Sequence, residues 1–406
     1  VWVVSELYYP EETSTGYFLS RIAESLTGDY DVRAVCAQPT YSGRGTRAPW
    51  REHHAGVDIR RCRATTLNKD VLPFRLANLI TISASIAWHL ARHVGRGDVV
   101  LVTTNPPALS MLAALVCRLR GAASVLLIHD VYPDSLVAAG MLAPGGVAAR
   151  AMASLTTMLY RRVSRVCVIG RDMERLVRRK TGEPAGGRIV VIPNWPEPGL
   201  AEERREGNTL LAALGLEHKF VLQYAGNIGR VHGIDLLVAA ARELRSLAPD
   251  VHFLFIGSGA RKRWLEEAIA RDGLTNITLL PPHPRSDQPL FLPACDVAVT
   301  AFVPGMAGVG VPSRLYNILA VGRPIIGAVD DESELALVVR EEQIGWTVPA
   351  GDVAGFVAAV LAALADGERL RAMGHRARVA AVTKYSMGHA MSAYHALIDA
   401  ARADAV

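Results

Sequence analysis

The residues best equipped for chemistry lie in GVPSRLYNILAVGRP, Gly310 to Pro324. Ser313 is placed to cap a helix, with Arg314 and Asn317 beside that start. Leu315, Ile318, Leu319 and Val321 recur at the spacing of a core-facing stripe, and Gly322 stops the helix. Gly310 and Pro312 shape the approach. A helix start offering two donors and a cation, with no acidic residue in the stretch, suits a diphosphate with an adjacent sugar hydroxyl. A second stretch, YAGNIGRVHG at residues 224–233, follows a strand and carries Gly226, Asn227, Gly229, Arg230 and Gly233. Glycines let a phosphate approach the backbone, and Arg230 adds a bidentate cation to the same loop, so it reads as an anion site more readily than as a plain turn.

Three further stretches bear on the chemistry. In ETSTGYFLSRIAESL, residues Ser14, Thr15 and Gly16 lead into a helix. Free N–H groups there would face an anion, and an ordinary N-cap is the alternative. In SVLLIHDVYPDS, His129 and Asp130 end an apolar strand, with Asp134 and Ser135 following. A working histidine is the expectation, against a buried and satisfied one. IGSGARKRW at residues 256–264 has a G-x-G after a strand, but the third glycine of a dinucleotide fingerprint falls at Lys262, so a tight strand-to-helix turn is the reading. Pro282, at the end of NITLLPP, joins the donor-side set. Asp29 and Asp31 form the one D-x-D and read as turn chemistry; no bound metal is expected.

These stretches need elements to hold them, and the pattern supplies a βαβ rhythm. VWVVSE, a helix near Gly16 to Leu26, DVRAVCA, DVVLVTT and SVLLIHD form one set. The rhythm restarts at KFVLQYAG, with helices at Ile234 to Leu247 and near Arg261 to Arg271, then VHFLFIG, NITLLPP, DVAVTAF and PIIGAV. Two doubly wound α/β domains follow, residues 1–200 and 201–386. The stretch IPNWPEPGLAEERREGN, residues 192–208, breaks both periodicities and reads as the linker. A last helix, residues 387–402, is expected to pack back on the first domain.

Composition agrees with this class. The chain has 406 residues, 50% of them hydrophobic and 6% aromatic, which excludes a disordered or fibrous protein. Its five cysteines are scattered without a C-x-x-C pair, which fits a reducing cytoplasm and offers no zinc site. The amino-terminal residues lack a signal-peptide pattern, and Leu76 to Ala91 is interrupted by polar residues and shorter than the roughly 20 residues of a spanning helix. Charge is uneven: residues 1–200 hold 24 Lys+Arg against 16 Asp+Glu, and residues 201–406 hold 20 against 23. Arg161, Arg162, Arg165, Arg175, Arg178, Arg179 and Lys180 recur at helical spacing, as an anionic membrane surface would require or as a solvated face would show. No aromatic residues interleave with them, so nucleic acid is not expected as a partner.

Together the motifs resemble a GT-B glycosyltransferase of the retaining family-4 kind over nearly the whole length. PEETSTGYFLSRIAESL resembles the family's N-terminal glycine loop, HDVYPDSLVAAGML its acceptor-side segment, VVIPNW its interdomain stretch, and GNIGRVHG with VPSRLYNILAVGRP its donor-phosphate loops. Within the family the chain is most similar to the bacterial branch that builds colanic-acid-like, O-antigen and exopolysaccharide units. The resemblance implies two Rossmann-like domains facing a cleft. It implies a UDP- or GDP-sugar held by the C-terminal domain, a glycan or polyprenyl-linked acceptor held by the N-terminal one, and no cofactor or metal.

Arg230, Ser313 and Arg314 would then neutralise the leaving diphosphate, with His129 and Asp130 at the transferred sugar or acceptor. The family's two glutamates, eight positions apart, read Val309 and Asn317 here, and its lysine before Gly233 reads His232. Asn317 is left as the residue for the donor ribose. A cytoplasmic protein, peripheral at the inner face of the plasma membrane, is the corresponding location. A nucleotide-sugar 2-epimerase of the same architecture and a non-catalytic sugar-binding protein are the alternatives.

Overall fold

The computed structural model describes residues 1–39, 47–67, 72–184, 187–200 and 205–404. The apolar runs become two sheets. The first has eight strands: β1 (Trp2–Val4), β2 (Arg33–Cys36), β3 (Arg51–His54), β4 (Val57–Arg61), β5 (Val99–Thr103), β6 (Ala123–Ile128), β7 (Arg165–Val168) and β8 (Ile189–Val191). Their order is β3-β4-β2-β1-β5-β6-β7-β8. VVLVT and ASVLLI are buried at every position, as strands covered by helices on both faces must be. One pair is antiparallel, β3 with β4. It turns through Ala55 (φ 48) and Gly56 (φ 82), both left-handed, as a tight hairpin demands.

The second sheet has six parallel strands: β9 (Phe220–Asn227), β10 (Val251–Ser258), β11 (Ile277–Leu280), β12 (Val297–Ala301), β13 (Ile325–Ala328) and β14 (Gly345–Val348). Their order is β11-β10-β9-β12-β13-β14, so the chain reverses direction of growth between β9 and β12. That reversal is where open α/β sheets part to admit ligands, at the carboxyl ends of the strands. The helix Ile234–Leu247 lies on this sheet through Leu237, Ala240, Ala241 and Leu244, all fully buried.

The described residues divide into two compact units. One comprises residues 1–134, 144–193 and 390–406, and the other comprises residues 135–143 and 194–389. Residues 194–200 are tied into the second unit, where the Arg378 guanidinium donates to the Leu200 carbonyl at 2.9 Å. From Ala390 onward the helix Met387–Ala403 belongs to the first unit and buries Tyr394, Leu397, Ile398 and Ala401 there. Among the described residues no helix is long and apolar enough to cross a membrane. All five cysteines are buried and unbridged, and burial pushes the thiols of Cys36, Cys117, Cys167 and Cys295 up to about 12, so these four are not nucleophiles.

Candidate functional site: a guanidinium pocket and a strand-end histidine

In the second unit, β9 and β10 run in register to their ends, pairing Gly226 with Gly257. Gly226 has φ +143, and a Cβ on it would overlap the guanidinium of Arg314. Glycine is therefore required so that Arg314 can lie against the strand end. Gly257 (φ +153) and Gly259 (φ +157) meet the 226–228 backbone in the same way. IGSG is thus a tight strand-to-helix turn into the helix Lys262–Asp272. The loop after β9 is pinned by two backbone bonds, Ile228 N–H to Ser258 O and Arg261 N–H to Ile228 O, each 2.9 Å. Asn227 is exposed, with its amide oxygen against Gly259 and its carbonyl accepting the Tyr224 hydroxyl at 2.6 Å.

The Arg314 guanidinium packs over the Tyr224 ring, 4.6 Å from its centroid. Its Nη1 is buried and has no hydrogen-bond partner. A Cβ on Gly229 would come 2.9 Å from the ring of His232, whose Nδ1 is likewise buried and unpartnered. Burial, and then the charge of Arg314, lower the His232 pKa to about 3, so this ring is neutral at pH 7. A buried guanidinium nitrogen without an acceptor is costly, and an anion is the ligand that relieves it. Arg230 sits on the adjacent turn, exposed and without an ion pair among the described residues. Gly233 is tight because Ala301 Cβ and Phe302 O would lie 3.1 and 3.2 Å from an added Cβ.

The helix expected from Ser313 is shorter than the sequence suggested. It spans Leu315–Ala320, its N-cap residue is Arg314, and no side chain caps it. The chain at 312–315 is instead a turn, closed by Leu315 N–H to the carbonyl of Pro312 at 3.1 Å, which displaces Ser313 from the capping position. The apolar stripe is as expected, with Leu315, Ile318, Leu319 and Val321 buried. Gly322 (φ +67) ends the helix.

Asn317 lies just inside that helix. Its Oδ1 accepts the Glu197 N–H at 2.9 Å and its Nδ2 donates to Gln288 Oε1 at 2.9 Å. Glu197 itself pairs with Arg285. The amide thus braces the 194–200 segment. Val309, where the family carries a glutamate, is buried. Gly310 and Pro312 are half-buried in the loop before Arg314, and Pro282 is exposed in the loop after β11.

In the first unit, the helix Ser14–Leu26 starts two residues earlier than Gly16, and Thr13 caps it. Gly16 N–H is therefore not free for an anion: it donates to Thr13 Oγ1 at 3.3 Å. The residue is glycine because the Glu11 carbonyl would lie 2.7 Å from an added Cβ. This helix start brings Thr15 Oγ1 within 3.3 Å of His129 Nδ1, just past β6. Burial lowers the His129 pKa to about 4, so the imidazole is neutral, and Thr15 engages one ring nitrogen. The Asp130 carbonyl accepts from Thr104 Oγ1 at 3.3 Å. Burial of its carboxyl group raises the Asp130 pKa to about 6.

Asp134 pairs with Lys180 at 2.8 Å. Arg165 pairs with Asp404 at 2.7 Å and Arg178 with Glu174 at 2.5 Å. The basic face expected around residues 161–180 is in this way partly neutralised from within. Exposed Arg161, Arg162 and Arg179 remain, with exposed Leu155 and Met158 on the same helix as the first two.

Tyr224 and Asp330 are functional supports that sequence reasoning missed. Asp330, just past β13, accepts from Gly305 N–H at 3.2 Å and Ala307 N–H at 2.9 Å, and so holds the loop that leads to Arg314. A lone aspartate after a strand carries no pattern to announce this. Tyr224 stood inside a motif already singled out, but its ring matters only because Arg314 reaches it from 90 positions away.

Two family models match the chain: a glycosyl transferase 4-like domain over residues 15–195 and glycosyl transferases group 1 over residues 219–366. The protein named probable glycosyltransferase WbjE of Pseudomonas aeruginosa is 31% identical over 87% of this chain and 86% of its own. WcaI of Escherichia coli K12, named for colanic acid biosynthesis glycosyl transfer, is 27% identical over 81% and 83%. Among solved structures, sucrose-phosphate synthase of Thermosynechococcus elongatus superposes with a TM-score of 0.77 at 17% identity, covering 99% of each chain. HepE of Anabaena, in complex with UDP-glucose, superposes with a TM-score of 0.73 at 13% identity, covering 98% of each. With its two α/β domains, the chain belongs to the glycosyltransferases and has the GT-B fold.

Proposed function

We propose that the protein is a retaining glycosyltransferase that moves a hexose-type sugar from a UDP- or GDP-sugar to a glycan or polyprenyl-linked acceptor. The observation that carries this is the buried, unpartnered Nη1 of Arg314 beside the glycine-lined end of β9. The donor diphosphate would lie there, with exposed Arg230 closing on it from the adjacent turn and Ser313, Gly310 and Pro312 shaping the loop. As the bond from the sugar carbon to the diphosphate oxygen breaks, negative charge grows on the diphosphate. A pre-aligned guanidinium stabilises that charge most when water is excluded, an effect of about 3–4 kcal/mol per donor in comparable sites. Cations of the chain fill this task, so no metal is invoked. The acceptor hydroxyl attacks the same face of the sugar and passes its proton to a donor phosphate oxygen.

His129 and Asp130 are the proposed acceptor-side residues of the first unit. A neutral imidazole engaged by Thr15 through Nδ1 leaves Nε2 to hydrogen-bond a sugar hydroxyl. The relative solved with UDP-glucose supports the choice of a nucleotide-sugar donor. Peripheral contact with an anionic membrane would use Arg161, Arg162 and Arg179, and liposome flotation independent of anionic lipid would exclude it.

The decisive experiment is a thermal-shift screen over UDP- and GDP-sugars, followed by transfer assays with the donors that stabilise the fold. A cognate donor raises the melting temperature in the wild type and much less in Arg314→Ala. No shift with any donor, or an equal shift in the variant, removes Arg314 from the donor site.

A further inference from the structure

A second concentration of unneutralised arginine lies in the first unit, in a groove of about 980 Å³ between the β3-β4-β2 face and the helix Leu72–His93. Side chains on this sheet face form rows across the strands. In one row Arg33, Asp58 and His53 stand in register, and their charges are matched. His53 Nδ1 lies 2.8 Å from Asp58, and Arg33 pairs with Asp31 at 2.5 Å. In the next row Arg60 stands directly opposite Arg51. Neither has a hydrogen-bond or ion-pair partner among the described residues. Like charges directly opposite each other in an antiparallel pair are destabilising, so this row lacks the counter-charge that its neighbour has.

The helix above presents Trp88, His89 and Arg92 to the same groove. Trp88 is 62% exposed, with Arg92 stacked on it 4.4 Å from the ring centroid. Trp50, 44% exposed, lines the groove near β3, with Arg63 over its ring at 5.6 Å. Large apolar rings left in water beside unpaired guanidinium groups are the lining of a binding groove. The cationic row and the helix line the same groove, and burial, then stacked His93, Arg60 and Arg51, lower the His89 pKa to about 4.

We propose that this groove binds an acidic oligosaccharide segment, with carboxylate or phosphate groups seated on Arg51 and Arg60 and sugar rings stacked on Trp88 and Trp50. Guanidinium forks match such oxyanions bidentately, and indole faces cover the apolar C–H faces of sugar rings. The volume sits at the upper end of small-ligand pockets, about 300–1,000 Å³, so a chain segment fits it better than a lone ion. A planar bilayer does not match a concave groove lined by both strands and a helix. A single uncompensated pair suits a polymer charged at intervals rather than one with a phosphate at every unit. The inference rests on the polysaccharide reading of the enzyme: the occupant is a charged stretch of glycan.

Isothermal titration of the full chain with hexagalacturonate tests it, with maltohexaose, inorganic phosphate and octathymidylate as comparisons. Hexagalacturonate binding is expected to weaken about tenfold or more in the Arg51→Gln/Arg60→Gln double variant and several-fold in Trp88→Ala. Maltohexaose is expected to bind far more weakly than the acidic chain. Turnover of the donor identified in the screen is expected to be unchanged in both variants, which also shows that they fold. Absent binding of hexagalacturonate, equal binding by the variants, or equally tight binding of phosphate or octathymidylate through the same arginines would overturn the proposal. Failure of transfer in the wild type would instead overturn the donor reading and leave the groove result standing.

Discussion

The Arg314 site and the β3–β4 groove both hold guanidinium groups without an ion-pair partner among the described residues, yet they are built in different ways. Arg314 is half-buried on Tyr224 at the end of a parallel strand, and three glycines clear the backbone around it. Arg51 and Arg60 stand opposite each other at the edge of a sheet, across an antiparallel hairpin, with tryptophans in place of glycines. The first arrangement aims one fixed charge at a small, compact anion approaching the backbone. The second spreads charge and flat apolar surface over a longer ligand. In the proposed reading, uncompensated cations mark binding in both places, and the surrounding residue types separate a reaction site from a docking groove.

The sharpest way to break this contrast is to remove each cation in turn. Arg314→Ala should cut transfer by about a hundredfold or more while the protein stays folded, because an unpartnered cation leaves no ion pair behind. Steady-state kcat/KM beside a melting curve decides it, and near wild-type turnover would end the phosphate role. Gly226→Ala should act through the same pocket. Its φ of +143 and the overlap with Arg314 predict a stability loss of about 1–3 kcal/mol together with a displaced guanidinium. Such misplacement commonly costs up to about a hundredfold in rate, and an active, stable Gly226→Ala protein would separate Arg314 from the β9 end.

A smaller effect sharpens the electrostatics of the pocket. His232 has a folded-state pKa of about 3, below the roughly 6.5 of an unfolded histidine, so the unfolded chain takes up the proton first on acidification. The resulting share of stability is present above pH 6.5 and is lost as the pH falls from there toward 3. His232→Asn should flatten the decline of melting temperature over that window, and an unchanged slope would show that Arg314 and burial do not hold the ring neutral. The smallest effect is expected at the groove. Arg51→Gln/Arg60→Gln should leave transfer intact and raise stability by about 0.2–1 kcal/mol as like-charge repulsion is relieved. A lower melting temperature would mean that the row is already compensated.

Legibility followed the same division. The donor loops were readable because glycine after an apolar strand is a local signature, and the helix Ile234–Leu247 has the boundaries its periodicity predicts. The hairpin is hard to read because REHHAGVDIRR is short and charged: Val57 and Ile59 are the only apolar residues on its buried face, with Asp58 between them and a buried arginine, Arg61, after them. The cap expected of Ser313 gives way to a turn closed at Pro312, and the Asn317 amide, expected at the donor ribose, is held by Glu197 and Gln288. Both corrections depend on partners that no local pattern reveals.

By itself the sequence determined the alternation of strand and helix, the glycine loops, the buried stripe of the Arg314 helix and the family, because each is a matter of residue type at short spacing. Tertiary structure decided which charges meet. Tyr224 and Arg314, Thr15 and His129, and Asp330 with the 305–307 loop come together only when strands distant in the chain become neighbours in a sheet. Whether a cation is paired, stacked or left for a ligand depends on that long-range register, which periodicity over a few turns does not encode.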